Sequence, residues 1–281
     1  MIREHLSRSP ILHSVPQALI TAWGQVFGRP AFSRVNNLIF NLATRGMGVG
    51  DCNPARNGER RILSQWLPSR GSTPVVWDAG ANEGDYTAVV RSVCPAARIF
   101  AFEPNPPTYS RLAARWTNSE VRCFQTALGR TEGTLNLWDY EGVPAGSSHA
   151  TFHPVVVARV SGERLQPRAV LVQTIDGIAA REQVPRIDLL KMDVEGHELA
   201  CLEGAARMIT EGRVAAVQFE FNSMHLEARA NIYDFAERLP GFVLYRILPH
   251  GLLQIDLKNP TTSNLYGMQN IFAIAAHEPR R

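Results

Sequence analysis

Val75-Val76-Trp77-Asp78-Ala79-Gly80-Ala81-Asn82-Glu83-Gly84-Asp85-Tyr86 is the stretch whose reading decides the fold. Val75 to Trp77 is a short apolar run with strand preference, and the turn residues Gly71 and Pro74 precede it. Beyond Gly84, the residues Tyr86, Val89, Val90 and Val93 recur at i, i+3, i+4 and i+7, which is one face of a helix. Two glycines frame the turn between them. A chain passing sharply from strand to helix needs a backbone that tolerates positive φ and lets a ligand come close. The stretch therefore predicts strand, glycine corner and helix, the corner at which doubly wound α/β sheets hold a nucleotide cofactor.

The chemistry of this corner is not that of a phosphate binder. No Gly-Lys-Ser/Thr ending follows it, which argues against a nucleoside-triphosphate loop. Gly80 and Gly84 do not make the three-glycine turn of dinucleotide binders, and Asp78 would repel a pyrophosphate where it would suit a cation. The pattern Asp78-x-Gly80-x-Asn82-x-Gly84 resembles the first motif of S-adenosylmethionine-dependent methyltransferases. That cofactor is a sulfonium with an ammonium, a carboxylate and a ribose diol, and it carries no phosphate. Taken alone, the motif is equally a glycine turn that only shapes the chain.

A second acid sharpens the reading. Arg98 to Phe102 predicts strand two and runs directly into Glu103-Pro104-Asn105-Pro106. Glu103 stands 25 residues beyond Asp78, where an acid at the tip of the second strand accepts from both hydroxyls of a ribose. The two prolines, Pro104 and Pro106, then start a helix with Tyr109, Leu112, Ala113 and Trp116 on one face. Val121 to Phe124 predicts strand three, followed by Gln125 to Gly129. Thr134 to Trp138 predicts a strand of an added hairpin, and residues 139–153 an irregular polar loop holding His149 and His153. More strand is expected at residues 155–160 and 169–174.

Ile187 to Met192 predicts a buried parallel strand, and it ends in Asp193-Val194-Glu195-Gly196-His197-Glu198. Three acids and a histidine at the carboxyl end of such a strand are a stronger signal than scattered charges. Glu198 falls in the first turn of the next helix, where an acid favours the helix dipole. Val214 to Phe219 predicts another strand ending in Glu220. A helix through Ile232, Phe235, Ala236 and Leu239 follows, then strands at residues 242–248, 252–257 and 271–275.

Composition bounds the rest. The 281 residues, 45% hydrophobic, suffice for one sizeable core with an appendage. A net charge of +3, without a Lys/Arg run, gives no reason to expect nucleic acid. Cys52, Cys94, Cys123 and Cys201 have neither Cys-x-x-Cys nor metal-ligand spacing, so reduced thiols in the cytoplasm are expected. Nothing approaches 18 consecutive apolar residues, so no membrane span is expected, and the first residues lack the pattern of a signal peptide. Residues 1–70 predict a helical extension, with helices over 17–27, 31–42 and 58–66, ahead of a main domain at 71–281. The extension either walls the substrate site or only covers the core.

With these motifs placed, the chain resembles the FkbM family of S-adenosylmethionine-dependent methyltransferases over about residues 36–276. The resemblance rests on Asp78 to Tyr86, Phe102-Glu103-Pro104-Asn105-Pro106, Ala127-Leu128-Gly129 and, above all, Ile187-Asp188-Leu189-Leu190-Lys191-Met192-Asp193-Val194-Glu195-Gly196-His197-Glu198. Gly146 to Ala150, Gln218 to Asn222, Tyr245 to Pro249 and Gln269-Asn270 resemble a branch found among glycan-biosynthesis proteins. Trp77 stands where the strand often carries a smaller apolar residue.

The resemblance implies a Rossmann-like, doubly wound seven-stranded sheet with its last strand antiparallel, and O-methylation of a saccharide or polyketide-like hydroxyl. On it, Asp78, Gly80, Asn82, Gly84, Tyr86, Glu103, Pro104 and Asn105 hold the cofactor, Ala127 and Leu128 line its adenine, and Asp193 sits near the sulfonium. Glu195, His197, Glu220 and His149 face the acceptor. His197 is the first candidate for general base, because its ordinary pKa lies near working pH, and His149 the second. Asp193 and Glu195 are a single acid pair, so no metal is expected. The competing classes are a nicotinamide-dependent oxidoreductase, which would want the three-glycine turn, and a non-catalytic scaffold of a glycan-assembly complex.

Overall fold

The computed structural model describes residues 17–51, 53, 54, 56–117, 119–141, 150–152, 164–276 and 278. The expected strand at 155–160 and the candidate His149 lie outside the described residues.

The predicted corner forms as read. Strand β1 (Val75–Ala79) enters the turn and helix α4 (Asp85–Val93) leaves it. Gly80 and Gly84 take φ of +74° and +85°. At both positions the crowding explains glycine: a Cβ on Gly80 would lie 1.9 Å from the carbonyl oxygen of Asp193, and one on Gly84 2.4 Å from Trp116 Nε1. Asn82 also adopts a left-handed backbone, φ +48°, a conformation asparagine tolerates better than most residues.

Around β1 the chain alternates strand and helix. β2 (Arg98–Phe102), α5 (Pro106–Arg115) and β3 (Val121–Phe124) extend the sheet on one side. After β4 (Ala127–Leu128), β5 (Gly133–Tyr140), β6 (Leu165–Gln173) and α6 (Ile175–Arg181), the chain crosses to the other side. There follow β7 (Leu189–Met192), α7 (Glu198–Glu203), α8 (Ala206–Thr210) and β8 (Ala216–Phe221). Last come α9 (Met224–Glu227), α10 (Ile232–Arg238), β9 (Phe242–Leu248), β10 (Gly251–Gln254), α11 (Pro260–Ser263) and β11 (Gln269–Ala275). The sheet order is β10-β9-β11-β8-β7-β1-β2-β3. β11 is antiparallel to both β8 and β9, while β3, β2, β1, β7 and β8 run parallel. Seven strands give the doubly wound order expected, and β10, hairpinned onto β9, adds an eighth at the edge. The added hairpin of β5 is part of a separate three-stranded sheet, β4-β6-β5.

Alternation along the parallel strands divides the core in two. Trp77, Phe100, Leu190, Met192, Phe219 and Phe221 face one layer. Val76, Ile99, Leu189 and Ala216 face the other, which α3 (Glu59–Trp66) and α4 cover. The predicted extension is of two kinds. From α3 and the turn after it, Ile62, Leu63, Trp66 and Leu67 are buried, and Trp66 Nε1 donates to the carbonyl of Asp188 at 3.0 Å. By contrast, α2 (Ser33–Gly46) buries no side chain, and residues 18–26 of α1 (Gln17–Phe27) are exposed.

Candidate active site

Because β1, β2, β7 and β8 run parallel, they end on one edge, and the switch point of the sheet lies between β1 and β7. A cleft opens at this edge. Gly80, Asn82, Glu103 and Pro104 line it from the β1 and β2 ends, Ala127 and Leu128 from β4, and Asp193 and Glu195 from the loop after β7. Residues far apart in sequence, each singled out for cofactor or acceptor binding, thus share one cavity. Phe102, Thr126, Leu137, Ala150, Phe152 and Val194 complete the lining. No sequence motif marked Leu137 or Phe152, which reach the cleft only because the second sheet folds beside the first.

Glu103 is held firmly. Its Oε2 accepts from the amide of Asn82 at 3.1 Å and its Oε1 from the amide of Asn105 at 2.8 Å. The carboxylate therefore joins the glycine corner to the tip of β2, and each oxygen keeps acceptor capacity for a further donor. Burial pushes its pKa up to about 7, against the two amides that favour the anion. Asn105 does not line the cleft. Its side-chain amide donates to Asp139 Oδ2 at 2.8 Å, tying the end of β2 to β5.

Asp78 is fully buried and is not part of the lining. Its Oδ2 accepts from Thr87 Oγ1 at 2.7 Å. Its register partner on β7 is Lys191, whose own partner on β8 is Gln218. These three polar residues form a row across the sheet, on the face covered by α3 and α4. Lys191 Nζ donates to Asp193 Oδ2 at 3.1 Å and lies 5.1 Å from the ring centroid of Tyr86. Burial works to discharge this lysine, but Asp193, Asp78 and Glu59 outweigh it and hold its pKa above the ordinary value. The cation facing Asp78 is thus the protein's own.

Tyr86 continues the row, donating from its hydroxyl to Gln218 Oε1 at 2.8 Å. Gln218 in turn donates to Glu59 Oε1 at 2.6 Å, so the first residue of α3 is part of this network. Burial raises the Glu59 and Asp78 carboxyls. Lys191 and Gln218 were missed as functional candidates, although the signal was present: each is a polar residue inside an otherwise apolar buried strand.

The acids beyond this row sit close together. Burial first, then the Asp193 and Glu195 carboxylates, push the Glu220 pKa up to about 8. Asn222 donates to Glu220 Oε1. Glu195 takes a left-handed backbone, φ +53°, just before Gly196 at φ +97°. His197, two residues on, packs against the cleft residue Phe152. Its ring centroid lies 4.5 Å from that of Phe152, its Nε2 faces Gly129, and it is not among the cleft-lining residues. Glu198 is more than a helix-dipole residue: it is 1% exposed, and its Oε1 accepts from the amide of Val194 at 2.9 Å. Among the described residues, no group of three or more His, Cys, Asp or Glu is disposed to hold a metal ion.

A family model described as the methyltransferase FkbM domain matches residues 78–244. The chain belongs to the FkbM methyltransferase family. Its cofactor is S-adenosylmethionine. The chain is similar to the hexuronic acid methyltransferase AglP of Haloferax volcanii, 31% identical over 150 residues that cover 52% of this chain and 56% of that protein. It is also similar to the 2-O-methyltransferase NoeI of Sinorhizobium fredii, 25% identical over 196 residues, 64% of this chain and 76% of that protein. The chain spans a little over half the length of the first of these curated relatives. The solved O-methyltransferase of Bacillus cereus in complex with SAH is similar over 92% of this chain and 97% of its own, at 10% identity and a TM-score of 0.42.

Proposed function

We propose that this protein transfers a methyl group from S-adenosylmethionine to a hydroxyl oxygen of a saccharide. One observation carries the reading: Glu103, anchored at the tip of β2, shares a cleft with the acids Asp193 and Glu195. The residues present fit the cofactor. Glu103 offers two oxygens to a ribose diol. Phe102, Ala127, Leu128 and Leu137 offer apolar contact to a purine, and Asp193 and Glu195 offer negative charge to the cationic portion. Gly80 leaves open the backbone approach that a Cβ would close. The saccharide class rests on the activities named for the two relatives above.

The cofactor supplies an electrophilic methyl carbon on a sulfonium, which departs as a neutral thioether. The chain must align the acceptor oxygen and take its proton as the new C–O bond forms. We assign that proton to Glu220, which does not itself line the cleft. It stands with Asp193 and Glu195, and its raised pKa makes it a stronger base than an ordinary carboxylate once ionised. Asp193 is held by Lys191 as a fixed negative charge. Asp78, Lys191, Gln218, Tyr86 and Glu59 position the carboxyl edge from behind the cleft. The acceptor contact assigned to His149 belongs to the same proposal. We place the protein in the cytoplasm: Cys94, Cys123 and Cys201 are free thiols, and no helix among the described residues is long and apolar enough to cross a membrane.

The test is methyl transfer from labelled S-adenosylmethionine to a panel of saccharides that includes hexuronates, beside calorimetry with the cofactor and with a nicotinamide dinucleotide. Binding of the methyl donor alone, lost in Glu103→Ala, and label on a saccharide oxygen are expected. Binding of the nicotinamide dinucleotide instead, or label on a non-saccharide acceptor only, sinks the reading.

A further inference from the structure

Helices α1 and α2 present large apolar side chains that nothing among the described residues covers. Leu19, Trp23 and Val26 of α1 are 60%, 44% and 51% exposed, and Val35, Leu38, Ile39 and Leu42, at i, i+3, i+4 and i+7 on one face of α2, are 44%, 59%, 42% and 65% exposed. Elsewhere among the described residues, exposed side chains of this kind stand singly, as Leu226 and Leu257 do. A contiguous apolar surface is a binding surface until shown otherwise.

The two helices are nonetheless a built unit. Trp23 and Phe27 stack with centroids 4.2 Å apart, and Phe32 packs edge-on against Phe27 at 5.1 Å. Trp23 Nε1 donates to Asn36 Oδ1 at 3.2 Å, and Asn36 Nδ2 donates to the carbonyl of Phe27 at 2.9 Å. The hairpin is tied to the body at its end, where the amide of Gly50 donates to the carbonyl of Met268 at 2.6 Å.

Charge decides what this surface fits. The chain as a whole is nearly balanced, 29 basic against 26 acidic residues. Between Gln17 and Gly50, however, it carries Arg29, Arg34 and Arg45 and no acid. Arg45 pairs with Asp51 at 3.4 Å, which leaves Arg29 at the hairpin corner and Arg34 in the first turn of α2 as cations without an acid on their own helices. Exposed Leu, Phe and Trp beside arginines with no acidic counterpart match the interface of an anionic bilayer, where an amphipathic helix lies in the plane of the headgroups. They match a second copy of the chain less well. A two-fold joint between two hairpins would offer these arginines no carboxylate, since neither copy carries an acid between Gln17 and Gly50.

We propose that the α1–α2 hairpin docks this protein on an anionic lipid surface, lying on the membrane without spanning it. This goes beyond the methyl-transfer reading and does not depend on it. The test is flotation of the full chain with vesicles of phosphatidylcholine, with and without phosphatidylglycerol, at low and high salt. The chain should float with the anionic vesicles, more weakly at high salt. Leu38→Glu/Leu42→Glu should abolish flotation while cofactor binding by calorimetry is unchanged. Arg29→Gln and Arg34→Gln should each lower the partition about fivefold. Three results overturn the proposal: no flotation, equal flotation on purely zwitterionic vesicles, or a dimer at sedimentation equilibrium that Leu38→Glu/Leu42→Glu dissociates.

Discussion

Glu198 Oε2 lies 3.0 Å from His225 Nε2, and both side chains are 1% exposed. The other ring nitrogen, Nδ1, lies 3.2 Å from the amide and 3.3 Å from the carbonyl of Asn222. The ring thus faces Glu198 with one nitrogen and the backbone of Asn222 with the other. Because Glu198 also accepts from Val194, the pair fastens the acidic loop after β7 to α9, the helix that follows β8 and its Glu220. Burial would raise the Glu198 carboxyl, but His225 and the Val194 amide outweigh it and keep its pKa below the ordinary value.

Removing one partner leaves the other buried and unmatched. Glu198→Ala should cost about 3–5 kcal/mol in urea unfolding, whereas Glu198→Gln, which still accepts from Nε2–H, should cost much less. Since the folded pKa is depressed, this contribution is complete above the unfolded value of 4.5 and is lost as pH falls through the lower folded value. Wild-type and Glu198→Gln stabilities should therefore draw together as pH falls below 4.5. A gap between the two that stays constant into acid would contradict the assignment.

Glu103 titrates in the opposite sense. Its folded pKa is raised to about 7, so the folded state favours the protonated acid. Its effect on the cofactor-free protein is to lower stability as pH rises from the unfolded value of 4.5 to about 7, and to be constant above. The anion is the better partner for a diol, because both oxygens then accept. Affinity for S-adenosylmethionine measured by calorimetry should rise across pH 6 to 8, and Glu103→Gln should be weaker and flat over that range. A wild-type affinity independent of pH would remove Glu103 from the diol.

Lys191 offsets the charge of buried Asp78 and of Asp193 and Glu59 beside it, so its loss should be felt at several acids together. Lys191→Met should destabilise by about 3–5 kcal/mol, since Asp78 is then buried without its cation. Asp78→Asn in the same chain should recover part of that loss. A double-mutant cycle in urea reads the coupling directly. Additive effects of the two substitutions would mean that they do not interact.

What the sequence disclosed was local. The β1 corner, the Glu103 tip and the acids after β7 are each written in a dozen consecutive residues, because strand period, glycine turn and helix period are short-range signals. What stayed hidden were pairings across the sheet. Asp78 suggests a site for an external cation when read alone, and its register with Lys191 exists only once β1 and β7 lie side by side. Glu59 looked like part of a separate extension until α3 packed its head against Gln218. His225 belongs to no motif, and Glu198 read as a dipole residue because the ring it meets comes from α9. His197 follows Glu195 by two residues, and across the left-handed turn at Glu195 and Gly196 its ring packs on Phe152, a residue of the cleft wall that no motif pairs with it.

That turn bears on which group takes the acceptor's proton. Glu220 carries a pKa near 8 in the cofactor-free protein, raised by burial and by Asp193 and Glu195. Only the ionised form is a base, so kcat/KM should rise with pH and level off above about 8. Positive charge bound beside Asp193 and Glu195 offsets their repulsion, so the corresponding limb in kcat should lie at lower pH. Glu220→Gln should lower kcat about 10²–10⁴-fold with cofactor affinity unchanged. His197→Ala should leave the pH profile in place, because the ionisation is assigned to Glu220 beside Asp193 and Glu195, while the His197 ring packs against the cleft residue Phe152. If His197→Ala instead removes the ionisation and Glu220→Gln keeps it, the proton goes to the histidine, and the turn at Glu195 must open during the reaction.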